Sequence, residues 1–282
     1  MNLSRTDHDV FVPDGESLPE ALARTTHLCI GAHQDDQEFM AYHGIAVCFG
    51  QSDRWFTGVV VTDGGGSVRC GPYAERTNEE MMAIRQHEQR KAAVIGEYAC
   101  QIQLGYPSRI IKDAKDESTT EDLYQILLAT CPETVYLHNP TDKHDTHVAT
   151  LLRCIAALRK LPQDARPKLV VGCEVWRSLD WLCDADKVAM DVEPHRNLRA
   201  ALSGVFDSQI AGGKSYDLAV TGRQAANATF FESHAVDASL ALSWCMDLTC
   251  LIVDDTLTLE AYALSYIERF QEEVQARIQR FA

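Results

Sequence analysis

The strongest constraint on the fold is the alternation of short apolar runs with stretches of helical periodicity. Helical spacing is clearest in TNEEMMAIRQHEQRKAAVIG, where Gly96 ends the pattern. Strands that alternate with helices in this way form a mostly parallel sheet with helices on both faces. We therefore predict an α/β protein with a Rossmann-like sheet. Five runs predict its strands: THLCIGA (26–32), WFTGVVVT (55–62), YACQIQLG (98–105), ETVYLHN (133–139) and KLVVGCEV (168–175).

The alternation weakens after about residue 176. Residues 195–210 and 258–282 have helical patterns, and the run LTCLIVD (248–254) predicts a strand between them. The Gly- and Ala-rich stretch 207–230 predicts a loop or lid. Because no linker separates two parts, we predict one domain over 1–282, with a core at about 26–176 and a C-terminal elaboration at about 177–282.

Charge and hydropathy limit the classes of partner. The chain has 26 Lys and Arg against 41 Asp and Glu, a formal net charge of −15, which disfavours binding to the phosphate backbone of nucleic acids. No stretch approaches the roughly 20 apolar residues that cross a bilayer. These features predict a small-molecule partner, with no nucleic acid and no membrane span, and they leave homo-oligomerisation open.

Cysteine spacing and the N-terminal residues bear on the compartment. The ten cysteines include no CxxC pair, which is typical of a reduced chain rather than one stapled by disulfides. The first residues lack the apolar core of a signal peptide. We therefore expect a cytoplasmic protein.

A first polar cluster follows the first predicted strand. His33, Asp35 and Asp36 lie between THLCIGA and a helical pattern. Polar groups at the carboxyl end of a strand are where α/β folds place ligand chemistry. The alternative is that Asp35 or Asp36 only caps the next helix.

A second cluster follows the strand ETVYLHN. In PTDKHDTHVATLL, His144 and His147 are three residues apart, and they point the same way if a helix begins near Asp145. Although HxxH alone is weak evidence, the two clusters together offer His33, Asp36 and His147. Two imidazoles and a carboxylate suit a catalytic zinc site with a fourth position open to water, and they suit Fe²⁺ or Co²⁺ as well.

Three motifs together resemble those of the PIG-L/LmbE-like de-N-acetylases. AHQDDQEF is similar to AHPDDE, HNPTDKHDTH to HPxDxHxDH, and IRQHEQRKAAVIG to RxxExxxAxxxG. They occur in the order of the family and cover about residues 26–150. The resemblance implies a zinc-dependent hydrolase that removes the N-acetyl group from an N-acetylated amino sugar, such as N-acetylglucosamine, or from its conjugate.

The resemblance also implies roles for single residues. It implies zinc held by His33, Asp36 and His147, and Asp35 as the general base. It implies that His144 steadies the oxyanion or protonates the leaving amine. It further implies substrate contacts from Arg85, on the helix of the third motif, and from an acid after the third strand, for which Asp113 is the candidate.

Three positions depart from the motifs of the family. Gln34 replaces the proline and Gln37 the glutamate of the first motif, and neither position is a metal ligand in the family. Thr146 replaces the aspartate before the last histidine, which affects the support of His147 by surrounding residues.

The chemistry suits these residue types. Amide hydrolysis at neutral pH needs a nucleophile stronger than water, and zinc lowers the pKa of a bound water from about 15.7 to about 7. Asp35 beside a metal-bound Asp36 is placed to collect the remaining proton, and zinc and His144 would stabilise the developing oxyanion.

Two other features leave alternatives open. The glycine run in VVVTDGGGS lacks the GxGxxG and GK[ST] spacings, so it predicts a strand-end loop in which Asp63 contacts substrate. Trp176 and Trp181 suit either a sugar-stacking wall or the core. The rival functions are a non-catalytic metal- or sugar-binding protein on the same scaffold and a nucleotide-dependent enzyme that uses TDGGGS.

Overall fold

One mixed sheet organises the protein. A computed structural model describes residues 1–282 and contains an eight-stranded sheet of order β1-β4-β3-β2-β5-β6-β8-β7. The strands are β1 Asp9–Phe11, β2 His27–Gly31, β3 Phe56–Thr62, β4 Cys100–Tyr106, β5 Thr134–His138, β6 Leu169–Cys173, β7 Val188–Asp191 and β8 Leu242–Asp247. Strands β4, β3, β2, β5 and β6 pair in parallel, whereas β1, β8 and β7 pair antiparallel at the edges. The predicted mostly parallel α/β fold is confirmed.

Twelve α-helices accompany the sheet. Their bounds are α1 Leu18–Ala23, α2 Asp36–Met40, α3 Tyr42–Cys48, α4 Asn78–Ile95, α5 Ser108–Lys112, α6 Ser118–Thr130, α7 Asp145–Lys160, α8 Arg196–Gly204, α9 Asp207–Ile210, α10 Tyr216–Phe230, α11 Cys250–Val253 and α12 Leu259–Phe281. No helix is both long and apolar enough to cross a membrane.

The central strands are apolar because both of their faces are covered. Successive side chains of a strand point to opposite faces, so Leu28 and Ile30 of β2 join one core cluster while Cys29 joins the other. All seven residues of β3 are buried. A strand buried on both sides gives the continuous apolar runs seen in the sequence.

The strand order reverses between β2 and β5. From β2 the chain continues outward to β3 and β4, whereas β5 pairs with the opposite edge of β2 and continues to β6. The loops after β2 and β5 therefore emerge side by side at the carboxyl ends of parallel strands. In open α/β sheets this reversal opens a crevice in which ligands bind.

Two predictions for the C-terminal third are wrong. The strand expected over 248–254 lies earlier, at Leu242–Asp247, and the apolar run itself forms α11. A short apolar run fits a strand and a buried helical turn equally well, so its periodicity could not decide. The loop expected over 207–230 is largely the helix Tyr216–Phe230, because its alanines favour a helix strongly enough to tolerate Gly222.

Candidate metal centre and active site

The two predicted polar clusters meet beside one cavity. It has a volume of about 600 Å³, and its lining includes His33, Asp35, Asp36 and His144. His147 is fully buried behind them, on the first turn of α7, which begins at Asp145 as predicted. The rings of His144 and His147 stack with centroids 4.5 Å apart, so the two histidines do point the same way.

Neither aspartate of the first loop caps the following helix through its side chain. Asp35 occupies the N-cap position of α2 with a φ of 88°, a left-handed value that is uncommon for an aspartate. Its backbone N–H donates to Gln89 Oε1 on α4 at 3.2 Å. Such backbone strain clusters at functional sites, where the surrounding structure holds it in place.

Three side chains converge at the floor of the cavity, through His33 Nδ1, His147 Nε2 and the two oxygens of Asp36. His33 Nδ1 lies 3.2 Å from His147 Nε2 and 3.3 Å from Asp36 Oδ2. His147 Nε2 lies 3.4 Å from the other Asp36 oxygen, Oδ1. The backbone N–H of His33 also donates to Asp36 Oδ2 at 2.7 Å, which fixes the carboxylate against the loop.

These donors fit a divalent metal in chemistry and spacing. Ligand atoms about 2.0–2.2 Å from a tetrahedral zinc lie about 3.3–3.6 Å from one another. The nitrogen–nitrogen separation of 3.2 Å and the nitrogen–oxygen separations of 3.3 and 3.4 Å, each to a different Asp36 oxygen, lie close to that spacing. Two groups with metal-ligand proximity overlap here, one of His33, His144 and His147 and one of Asp36, His138 and His147.

His138, the first residue of HNPTDKHDTH, belongs to this cluster although the sequence predicted no role for it. Its ring stacks on that of His147 at 3.9 Å, and its Nε2 lies 3.4 Å from Asp36 Oδ2. The same Nε2 accepts a hydrogen bond from the backbone N–H of Ala32 at 2.9 Å. Because that bond uses the Nε2 lone pair, His138 is suited to holding the loop rather than to binding a metal.

Asp142 supports His147 from behind. Its Oδ2 lies 3.3 Å from His147 Nδ1, and its Oδ1 accepts the backbone N–H of His144 at 3.0 Å. A carboxylate that pairs with the second nitrogen of a histidine orients the ring and favours its use as a ligand. Asp142 thus supports His147 although Thr146 replaces the aspartate of the family motif.

The charges of the cluster suit cation binding. Burial opposes ionisation of Asp36, but His147 and His138 hold the pKa of its carboxyl group well below the usual range. Burial lowers the pKa of His33 to about 4, so its imidazole is neutral near pH 7. Burial also opposes a charge on His147, although the Asp36 and Asp142 carboxylates raise its pKa. An ionised carboxylate and neutral imidazoles are the forms that bind metals.

Asp35 and Arg85 form a second buried unit beside the cluster. An Arg85 guanidinium nitrogen lies 3.5 Å from Asp35 Oδ2 and donates to the Gln34 carbonyl oxygen at 2.7 Å. Burial raises the pKa of the Asp35 carboxyl group well above its usual range, although Arg85 acts in the opposite direction. Arg85 lines the cavity and also fixes the loop that carries Asp35.

Of the other two predicted substrate residues, Asp63 lies at the cavity and Asp113 does not. Asp63 lines the cavity, and its Oδ1 accepts the N–H of Gly65 at 3.1 Å. Asp113 is exposed at the end of α5, where its carboxylate accepts the N–H of Lys115, and the structure does not bring it to the cavity. The glycine run after Asp63 is not followed directly by a helix, since α4 begins only at Asn78, so it lacks the helix N-terminus of a phosphate loop.

The two substituted glutamines are buried beneath the first loop. Gln37 Nε2 donates to Gln101 Oε1 at 2.6 Å, and Gln34 Nε2 donates to Gln103 Oε1 at 3.3 Å. Neither glutamine side chain is therefore one of the converging ligand groups. They belong to an amide network that ties the loop to β4.

The C-terminal third supplies one wall of the cavity. Tyr216, at the start of α10, lies edge-on to Trp176 with centroids 5.9 Å apart, and both line the cavity. Trp181 instead packs on Phe270 of α12. Of the two tryptophans considered from the sequence, Trp176 faces the cavity and Trp181 packs with the core. No sequence pattern indicates Tyr216, because Tyr216 lies in the stretch that predicts a loop.

Comparison with known proteins agrees with the motifs. Residues 28–158 match the family described as GlcNAc-PI de-N-acetylase, PIG-L. The PIG-L resemblance predicted from the three motifs is therefore confirmed over these residues. No curated protein matches the chain.

Several solved structures share the fold. N,N'-diacetylchitobiose deacetylase from Pyrococcus horikoshii has a TM-score of 0.64 at 16% identity, over 84% of this chain and 88% of that chain. The hydratase GalB, which acts on 4-carboxy-2-hydroxymuconate in Pseudomonas putida, has a TM-score of 0.60 at 15% identity, over 79% and 95%. The zinc-inhibited form of a teicoplanin deacetylase has a TM-score of 0.55 at 14% identity, over 78% and 97%. At these identities the likeness concerns the fold alone.

Proposed function

We propose that the protein is a metal-dependent hydrolase that removes the N-acetyl group from an N-acetylated amino sugar or its conjugate. The observation that carries the proposal is the convergence of His33 Nδ1, the Asp36 carboxylate and His147 Nε2 at spacings of 3.2–3.4 Å beside Asp35. The PIG-L match over residues 28–158 and the deacetylases among the structures of similar fold support it.

His33, Asp36 and His147 would hold the cation, with zinc the first candidate and Fe²⁺ or Co²⁺ compatible with the same donors. When bound, the cation would supply Lewis acidity that makes water a stronger nucleophile near neutral pH. Asp142 holds His147 in place and the backbone N–H of His33 holds Asp36, so the donor set is organised by the fold itself.

Asp35 is the proposed proton carrier. Burial raises the pKa of its carboxyl group, so the group takes up a proton more readily than an exposed aspartate does. We assign to this carboxylate the removal of a proton from the attacking water and its delivery to the leaving amine nitrogen. Arg85, 3.5 Å away, orients the carboxylate.

His144 is the proposed partner of the oxyanion. It lines the cavity and lies edge-on to His33, with ring centroids 5.0 Å apart. Burial lowers the pKa of His144, so the imidazole is neutral near pH 7 and donates a hydrogen bond through one nitrogen. A fixed donor aimed at developing negative charge stabilises the transition state.

The cavity suits a sugar. A volume of about 600 Å³ lies in the range of small-molecule sites. Trp176 presents an aromatic surface, and Asp63, directly after β3, offers a hydrogen-bond acceptor. Aromatic faces packed against the apolar faces of a sugar, with polar groups at the edges, are a common means of recognition.

The test combines metal content with acetate release. Elemental analysis should find about one transition metal per chain, and acetate should be released from N-acetylglucosamine or its derivatives. Asp35→Asn should keep the metal and lose activity by about 10²–10⁴-fold, the usual contribution of a general base. Asp113→Asn, outside the cavity, is the matched control and should keep both.

Other outcomes would favour a rival. Metal or sugar binding without turnover in the unaltered protein would indicate a binding protein. Thermal stabilisation by nucleotides would favour a nucleotide-dependent enzyme. Water addition to an unsaturated carboxylic acid without acetate release would indicate a hydratase, as in the structurally similar GalB.

A further inference from the structure

Four cationic side chains surround the candidate site in a chain with a formal net charge of −15. They are Lys112, Lys143, Lys214 and Arg223, and all four line the cavity. None of them lies within 4.0 Å of a carboxylate oxygen. The cavity is therefore lined by four positive charges that no carboxylate pairs with directly, in a chain that is acidic overall.

Most of the lysines elsewhere in the chain are paired with carboxylates. Three of the eight lysines in the chain line this one cavity. Outside it, Lys160, Lys168 and Lys187 each pair with a carboxylate, at 3.6, 3.1 and 2.7 Å. Of the five lysines outside the cavity, three are thus paired with a carboxylate, whereas none of the three that line it is.

Two of the four cations are held against the aromatic wall. Lys214 Nζ lies 5.2 Å from the centroid of the Trp176 ring, within the range of a cation–π contact. Arg223 donates one N–H to the carbonyl oxygen of Val175, the residue before Trp176. A guanidinium has five N–H donors, so most of those on Arg223 are left for a ligand.

The other two approach from the opposite loops. Lys112 ends α5, which follows β4, and Lys143 immediately precedes His144 in the loop after β5. The four side chains therefore come from three separate parts of the sequence and border the same space.

The carboxylates of the cavity do not compensate these charges. Asp35 lies 3.5 Å from Arg85, and Asp36 lies among the histidines of the floor. Asp63 accepts the N–H of Gly65. An anion in a cavity with unpaired cations gains charge-assisted hydrogen bonds, and the local field attracts it.

We propose that the substrate carries, besides its amide, an anionic group, a carboxylate or a phosphate, that Lys112, Lys143, Lys214 and Arg223 bind. The inference deepens the proposed deacetylase function and rests on it for the reaction. It predicts that acidic N-acetyl amino sugars are preferred to neutral ones.

The experiment compares substrates that differ in charge. Acetate release is measured with methyl N-acetylglucosaminide as the neutral substrate, the 1- and 6-phosphates of N-acetylglucosamine, and N-acetylmuramic acid as the carboxylate. At least one anionic substrate should have a kcat/KM at least tenfold above the neutral one, and the ratio should fall as salt screens the charges. Comparison of the sugar phosphates with N-acetylmuramic acid distinguishes a phosphate site from a carboxylate site.

Variants connect the preference to the four cations. The double variant Lys143→Gln/Lys214→Gln should lose most of the preference, measured as the ratio of kcat/KM values. Lys115→Gln, an exposed lysine outside the cavity, is the matched control and should keep the ratio. A second readout needs no turnover: glucosamine 6-phosphate and muramic acid are compared with glucosamine by calorimetry, in the unaltered protein and in the double variant.

The outcomes separate the two proposals. Acetate release at equal efficiency from neutral and anionic substrates overturns the inference and leaves the deacetylase function in place. A preference that the double variant retains also overturns the inference. Tighter binding of an anionic amino sugar that the double variant loses, with no acetate released from any substrate, supports the anion site and overturns the proposed function.

Discussion

The Nδ1 atom of His147 lies 3.3 Å from a carboxylate oxygen of Asp142, and both side chains are buried. Asp142 also accepts the backbone N–H groups of His144 at 3.0 Å and Trp176 at 3.3 Å. One carboxylate therefore orients a proposed metal ligand, the proposed oxyanion partner and the aromatic wall. Its loss should affect the metal site and the substrate site together.

Asp142→Asn tests this relationship. Removing the carboxylate charge behind His147 should lower metal affinity or kcat/KM by about 10–100-fold, as for other partners of metal-bound histidines. Competition with a chelator and acetate release measure the two effects. Asp145→Asn, at the exposed start of α7, is the control and should change neither. Unchanged metal affinity in Asp142→Asn would show that His147 does not need this support.

His138 and His33 should respond differently to substitution. His33→Gln removes a proposed ligand, so metal content after dialysis should fall well below one per chain. His138→Gln replaces an acceptor of the Ala32 N–H and should keep the metal, because the three proposed ligands are untouched. Elemental analysis of both variants decides the matter, and loss of the metal in His138→Gln alone would identify His138 as the ligand.

The meeting of His33, Asp36 and His147 was predictable because their loops follow strands of one parallel sheet. Alternating strand and helix patterns give that sheet, and its carboxyl ends collect polar residues. His138 received no predicted role although it is the first residue of HNPTDKHDTH, because a histidine near the end of ETVYLHN has the same pattern whether it faces the site or the core. The face that it uses depends on the pairing of β5 with β2, which is a long-range property.

The aromatic and cationic wall of the cavity could not be predicted from the sequence for a similar reason. Tyr216 and Lys214 reach the cavity only because the C-terminal third folds back over the carboxyl ends of the strands. Local patterns carry no information on such contacts, and the Gly- and Ala-rich stretch concealed α10. Trp176 was singled out, but only its tertiary partners show that it faces the cavity.

Ser208 should stabilise the attachment of this C-terminal third to the core. Its hydroxyl donates to Glu88 Oε2 at 2.6 Å, and its backbone N–H donates to Oε1 at 2.7 Å. Ser208→Ala leaves a buried carboxylate oxygen without its partner and should lower the free energy of unfolding by about 1–3 kcal/mol. Ser215→Ala, whose exposed hydroxyl caps nothing, is the control. Urea unfolding measures both, and equal stability of the two variants would contradict the assignment.

The same buried Glu88 should make stability depend on pH. Burial raises the pKa of Glu88 above its ordinary value near 4.5, although Ser208 lowers it in part. The folded protein therefore holds this proton to a higher pH than the unfolded chain does. The contribution of Glu88 is fully present below its unfolded pKa and is lost as the pH rises through the folded pKa.

Glu88→Gln cannot ionise, so its free energy of unfolding should fall less than that of the unaltered protein between pH 4 and pH 8. Glu79→Gln, on the exposed first turn of α4, should follow the unaltered protein. Parallel pH profiles for Glu88→Gln and the unaltered protein would show that Glu88 ionises equally in both states.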